Sequence, residues 1–182
     1  MSVSSSSKKA KMSVFYLDSS VFIDFLNKAS LTKPKVSEEV KERHKLALSI
    51  LKHGEEKKSE IVTSTFTQSE VCRVLGQGLS EVQQEQQIKA LFARPWIRSI
   101  NFERKVAEVS RVITRRVGTA PKDSIHMATA IRHGIDYFVS SDRDFLDRTT
   151  EFLTQLEDDF PNIRKINITN WPQEVIRQDS VL

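Results

Sequence analysis

Four acidic side chains in this chain stand where a sheet could present them together. Asp18 follows the apolar run Val14–Leu17 in VFYLDSSVFIDFL, and Asp142 closes the run Tyr137–Ser140 in YFVSSDRDF. Glu70 lies in IVTSTFTQSEV, one or two helical turns past another short apolar run. Asp123 opens a helical pattern just after Pro121 and Lys122. Each has an ordinary explanation. Asp18, Asp123 and Asp142 suit helix N-caps, because a short carboxylate accepts from the first free N–H groups of a helix. Glu70 reads equally well as a solvated helix residue. Together they point to chemistry. Carboxylates gathered in one place repel one another, and some take up protons unless a cation sits among them. A hard divalent cation with oxygen ligands and retained waters resolves that conflict, and Mg²⁺ or Mn²⁺ fits an all-carboxylate set. Such a site suits phosphodiester cleavage, in which one metal acidifies a bound water and a second steadies the leaving oxygen. Lys122, Arg143, Arg115 and Arg116 are candidates to contact a phosphate backbone, or else part of a solvated basic face.

These side chains can act together only if the chain brings them to one edge. Ser13–Leu17 reads as a buried strand. A helix follows, with Ser19 or Ser20 as its cap and Val21, Phe22, Phe25 and Leu26 facing inward. The charged stretch LTKPKVSEEVKERHK is expected as a loop running into a helix over Ala47–Leu51 that Gly54 ends. Glu60–Thr63 is a second strand. Ser64, Thr65 and Thr67 then open a helix to Leu75, broken by Gly76 and Gly78. Helical spacing recurs at Val82, Ile88, Leu91 and Phe92, and again at Val106, Val109, Ile113 and Val117, with the strand WIRSI between. A helix from about Asp123 to His133, the strand Tyr137–Ser140, a further helix and the strand in NIRKINIT complete the order.

Strands alternating with helices predict an α/β fold: a parallel β-sheet of about five strands with helices on both faces. In an open sheet of that kind ligands bind beyond the carboxyl ends of the strands, where Asp18 and Asp142 fall. Glu70 could lean over the same edge. A helix leading into a strand is expected here to begin at the opposite edge. Asp123 would then reach the rim only if Gly118–Pro121 climbs back.

Composition sets the bounds. The 182 residues suit one domain, with a tail over 1–12, a domain over 13–176 and a second tail over 177–182. Hydrophobic content of 38%, charged content of 29% and a mean hydropathy of −0.38 describe a soluble globular chain. No apolar run approaches the roughly 20 residues a membrane helix needs. The N-terminal MSVSSSSKKAKMS lacks the apolar core of a secretory signal. A lone cysteine, Cys72, excludes an internal disulfide or a cysteine zinc site and fits a cytoplasmic setting. Beside Val71, Val74 and Leu75 it is expected as a small buried hydrophobe. A net charge of +4 tolerates nucleic acid as a partner without requiring it.

The four blocks resemble those of PIN-domain nucleases, most closely the VapC-type toxins of toxin–antitoxin pairs. FYLDSSVFIDFL, IVTSTFTQSEV, APKDSIHMATAI and YFVSSDRDF follow in the family's order, and NIRKINITNWPQEVI resembles its closing strand and tail. The resemblance implies that Asp18, Glu70, Asp123 and Asp142 are the catalytic, metal-binding acids, gathered in one cleft. Ser141 matches the small hydroxyl residue before the fourth acid, and Ser19 and Asp144 stand where they could support the site. A Mg²⁺- or Mn²⁺-dependent ribonuclease of single-stranded RNA is implied, with a small antitoxin and a second copy of the chain as partners. Residues 30–45 and 144–161 are longer and more charged than in a compact toxin, which leaves open a solitary nuclease without an antitoxin. Two other readings stand beside it: a non-catalytic RNA-binding module, and a phosphatase or phospho-receiver. For a phosphatase, Ser20 stands where a second Asp is usual. Asp24 is expected to be structural or solvated, and His126, one turn past Asp123, to be packed or locally bonded.

Overall fold

The computed structural model describes residues 12–27, 36–74, 78–148, 156 and 166–169. Five strands, β1 (Ser13–Leu17), β2 (Ser59–Ser64), β3 (Ile97–Ile100), β4 (Tyr137–Val139) and β5 (Asn167–Thr169), form one sheet of order β3-β2-β1-β4-β5. Every pairing is parallel. Six helices connect them: α1 (Ser19–Leu26), α2 (Glu38–Glu55), α3 (Thr65–Glu70), α4 (Glu81–Phe92), α5 (Arg104–Val117) and α6 (Pro121–Arg132). Residues 143–148 are also helical. The order and the parallel sheet are those expected from the sequence.

Alternation along the strands divides the core in two. Phe15, Leu17, Ile61 and Val139 pack with α1, α2 and α4 on one face, while Tyr16, Val62 and Phe138 pack with α5 and α6 on the other. Both faces of a parallel sheet are therefore covered. The Val106–Val117 stripe of α5 belongs to the second cluster, so it faces this chain's own core.

Several local expectations change. Asp18, not Ser19 or Ser20, caps α1, its side chain accepting from the N–H groups of Ser20 and Val21. From Glu38 onward the charged stretch before Ala47 is helix, since α2 starts there with Ser37 as its cap, and residues 31–35 lie outside the described residues. Gly54 does not end that helix. It lies inside it, at a place where a Cβ would collide with Ile61 Cγ1 and press on Trp96. Helix α3 stops at Glu70, five residues before Leu75. Beyond it the chain leaves helical form, burying Val71 and Val74 and donating from Val74 N to Gln84 Oε1 (3.1 Å). That irregular path turns Cys72 outward, so the cysteine is exposed and not a buried hydrophobe. Val82 is 67% exposed, and α4 touches the core through Ile88 and Leu91.

The direction of α6 corrects the expectation for Asp123. A crossover helix leaves the carboxyl edge and ends at the amino edge, where the next parallel strand must start. Helix α6 obeys this. Its first turn lies at the carboxyl rim with Glu70, and it leads into Asp136, whose N–H donates to Val14 O (3.1 Å) at the start of β1. Gly118, left-handed at φ 69°, ends α5, and Pro121 stands in the first turn of α6.

Candidate active site

The sheet order places β4 beside β1, so the connections diverge in opposite directions between them. Ligands in open α/β sheets bind at such a switch point, beyond the carboxyl ends of the strands. Leu17 pairs with Val139, and Asp18 N donates to Val139 O (3.2 Å). The two strands thus end together, and Asp18 and Ser140–Asp142 emerge side by side.

Asp18 is 7% exposed. Its Oδ1 accepts from Ser20 N (3.0 Å), Ser20 Oγ (2.5 Å) and Val21 N (3.4 Å). Burial pushes its carboxyl above the ordinary value, against the opposite pull of His126 and the hydroxyls of Ser140 and Ser20. Asp123, in the first turn of α6, is also raised. Burial is the largest cause, the Lys122 ammonium opposes it, and the charges of Asp142 and Asp18 add to it. Asp123 therefore senses both Asp18 and Asp142 across the rim. Asp142 is exposed, and its Oδ1 caps the 143–148 helix by accepting from Phe145 N (3.1 Å).

Glu70 behaves differently. Burial would raise its carboxyl, but the hydrogen bond and charge of His126, the Ser19 hydroxyl and the Lys122 ammonium outweigh it and hold it below the usual range. His126 is buried, with Nε2 2.6 Å from Glu70 Oε2 and Nδ1 2.8 Å from the Tyr16 hydroxyl. This locally bonded histidine matches the expectation for its packing and also touches one of the four acids.

Two serines join the strand ends. Ser20 Oγ donates to Asp18 and accepts from Ser141 N (2.8 Å). Ser140, fully buried, hydrogen-bonds Asp18 through its hydroxyl and accepts from Asp142 N (3.0 Å). The sequence pattern points to Ser19 and Ser141 as supporting hydroxyls, whereas in the structure Ser20 and Ser140 are the two that hold Asp18. The Ser141 hydroxyl donates instead to Asp24 Oδ2 (2.7 Å), which also faces Arg43 Nε at 3.5 Å. Asp24 is thus a structural residue at the rim. Asp144 and Arg143 are exposed and line a cavity with Ser20, Asp24 and Asp142. Lys122 Nζ lies 3.8 Å from Asp123 Oδ1. Arg115 and Arg116 occupy the exposed last turn of α5, where positive charge suits the carbonyl end of a helix.

Among the described residues no three acidic, histidine or cysteine side chains are already closed around one point. The donor set nevertheless suits a hard divalent cation: its donors are carboxylate oxygens, and two of the acids are raised by burial, a cost a cation offsets. Mg²⁺ keeps several waters and takes one or two carboxylates, so a preformed cage is not required.

A family model described as PIN domain matches residues 15–151. No curated protein matches the chain by sequence. Among solved structures the chain is similar to VapC20 of Mycobacterium tuberculosis, described as a sarcin-ricin loop cleaving toxin, with a TM-score of 0.50 and 17% identity over 72% of this chain and 92% of that one. It is also similar to VapBC2 of Rickettsia felis, solved with a promoter DNA fragment, with a TM-score of 0.50 and 15% identity over 87% and 98% of the two chains. At these identities the likeness is one of fold. No helix among the described residues is long and apolar enough to cross a membrane.

Proposed function

Because this chain belongs to the PIN domain family, we propose that it is a metal-dependent endoribonuclease with Asp18, Glu70, Asp123 and Asp142 as its metal-binding acids. The observation that carries the reading is the meeting of three of them at the β1/β4 switch point, where the charges of Asp18 and Asp142 reach Asp123. Glu70 joins them through the Ser19 hydroxyl and the shared influence of Lys122. Ser20 stands where a phosphatase would carry a second Asp, and a shared rim of acids suits divalent cations and a phosphodiester.

Mg²⁺ or Mn²⁺ held by these carboxylates would supply an acidified water and charge relief for the phosphate. The protein's own groups do the rest. Ser20 and Ser140 hold Asp18 against the end of β4, so its carboxylate is oriented before substrate arrives. Lys122 and Arg143, exposed at the rim, attract the phosphate backbone. Burial of Asp18 lowers the local dielectric and strengthens each charge interaction there. The fold shared with toxins, one of them solved as a toxin–antitoxin pair, supports a toxin role with a small antitoxin as partner.

The test is incubation of the purified chain with a mixed single-stranded RNA pool and Mg²⁺ or Mn²⁺. EDTA and the Asp18→Asn and Asp123→Asn variants serve as controls. Metal-dependent cutting lost in both variants is expected. Equal cutting by wild type and both variants, or RNA binding indifferent to EDTA without products, would refute the assignment.

A further inference from the structure

The rim acids differ in how they are held. Asp18 and Asp142 are fixed by the helix caps they form, and Asp123 stands in the first turn of α6 beside Lys122. Glu70 has no such anchor. It ends a six-residue helix, the backbone after it is irregular, and its side chain is a methylene longer. What fixes it comes from elsewhere in the chain. Nε2 of His126 lies 2.6 Å from Glu70 Oε2. An ionised carboxylate only accepts, so this ring nitrogen carries the proton. Nδ1 on the other side meets the hydroxyl of Tyr16 at 2.8 Å. Tyr16, fully buried on β1, lies 3.0 Å from Ser64 Oγ, which in turn accepts from Thr67 N (3.1 Å) and meets Thr67 Oγ1 (3.1 Å). The imidazole also packs against the rings of Phe66 and Tyr16, at centroid distances of 5.4 and 6.0 Å.

We propose that His126 is a positioning residue for Glu70, and that Tyr16 fixes the imidazole from behind. The buried chain from Ser64 through Tyr16 and His126 to Glu70 sets the plane and reach of that carboxylate toward the cation. Packing alone does not explain a histidine here. Its neighbours Met127, Ala128 and Ala130 are fully buried and apolar, so a histidine among them must have both nitrogens satisfied. A polar ring is required only because its two nitrogens have two partners. Groups that hold a metal ligand commonly affect metal affinity or activity about 10- to 100-fold.

This inference rests on the metal-binding reading of Glu70, so its test reads metal directly. Mn²⁺ binding to the full chain is titrated by the loss of the free-ion paramagnetic resonance signal, beside RNA cutting over a Mn²⁺ series. His126→Phe keeps a ring and removes both hydrogen bonds. His126→Gln keeps an N–H donor near the Nε2 position. The expected result is Mn²⁺ affinity weakened about 10- to 100-fold in His126→Phe. The Mn²⁺ needed for half-maximal cutting should shift by the same factor, with the rate at saturating Mn²⁺ less affected and His126→Gln recovering most of the affinity. A folded His126→Phe with wild-type affinity, or a His126→Gln as defective as His126→Phe, would overturn the proposal. If His126→Phe fails to melt cooperatively, Tyr16→Phe replaces it. A several-fold loss of Mn²⁺ affinity there supports the proposal, and wild-type affinity overturns it. A wild-type chain that binds Mn²⁺ without cutting RNA would end the nuclease reading alone. One that binds no Mn²⁺ would end both.

Discussion

Removal of one hydroxyl tests how the strand ends are locked. Ser20 Oγ is shared by two parts of the chain, donating to Asp18 Oδ1 at 2.5 Å and accepting from Ser141 N at 2.8 Å. Ser20→Ala deletes both. A hydrogen bond to a charged group contributes about 1.5–3 kcal/mol, and a neutral one about 0.5–1.5 kcal/mol. The two do not add fully. Asp18 keeps the N–H groups of Ser20 and Val21, and Ser141, only half-buried, can recover a water. A net loss of about 2 kcal/mol follows, which for a chain of this size lowers Tm by roughly 4–8 °C. Urea unfolding should show a lower midpoint at unchanged slope, because the exposed surface is the same. In the cutting assay the variant should lose about 10- to 100-fold, as when a group orienting a metal ligand is removed. Ser20→Thr, which restores the hydroxyl, should recover part of both. A Ser20→Ala chain that melts within about 1 °C of wild type and cuts RNA at the same rate would show that this hydroxyl does not lock the strand ends.

Three further outcomes follow from the same geometry. In EDTA, burial raises the carboxyls of Asp18 and Asp123 above their unfolded values. Their contribution is therefore full below the unfolded pKa of about 3.9 and is lost as pH rises through the folded pKa. Glu70, held low, contributes oppositely, with stability present above about 4.3 and lost as pH falls. Urea midpoints taken from about pH 4 to pH 7 should fall less steeply in Asp18→Asn and Asp123→Asn than in wild type, although both variants lose cutting. Mn²⁺ at about 100 times its Kd should stabilise wild type by about 2.7 kcal/mol, or roughly 5–11 °C, with a much smaller shift in Asp18→Asn, read by thermal melts. Gly54→Ala should destabilise by about 1–2 kcal/mol in urea titrations, because overpacking against Ile61 outweighs a helix-propensity gain of about 1 kcal/mol.

Local features were readable from the residues alone. An apolar run that stops at a carboxylate identifies a strand end and the residue beyond it without knowledge of any partner, so Ser13–Leu17 and the placement of Asp18 and Asp142 were legible. Alternation of strand and helix patterns was enough for a parallel sheet covered on both faces, and the spacing in α5 for its buried stripe. How the acids are held depends on contacts between distant parts of the chain. Ser141 N reaches Ser20 across 121 positions, and Tyr16 reaches His126 across 110. No local pattern encodes such pairs, because their distance depends on which strands become neighbours. The same holds where packing overruled local preference. Gly54 reads as a helix end, yet it lies inside α2, where the close approach of Ile61 leaves no room for a Cβ. Helix α3 could have run to Leu75, yet burial of Val71 and Val74 ends it at Glu70 and turns Cys72 outward. His126 was visible as a residue one turn past Asp123, but its function as a bridge exists only because β1, α3 and α6 converge behind the rim, where a buried imidazole must satisfy both nitrogens.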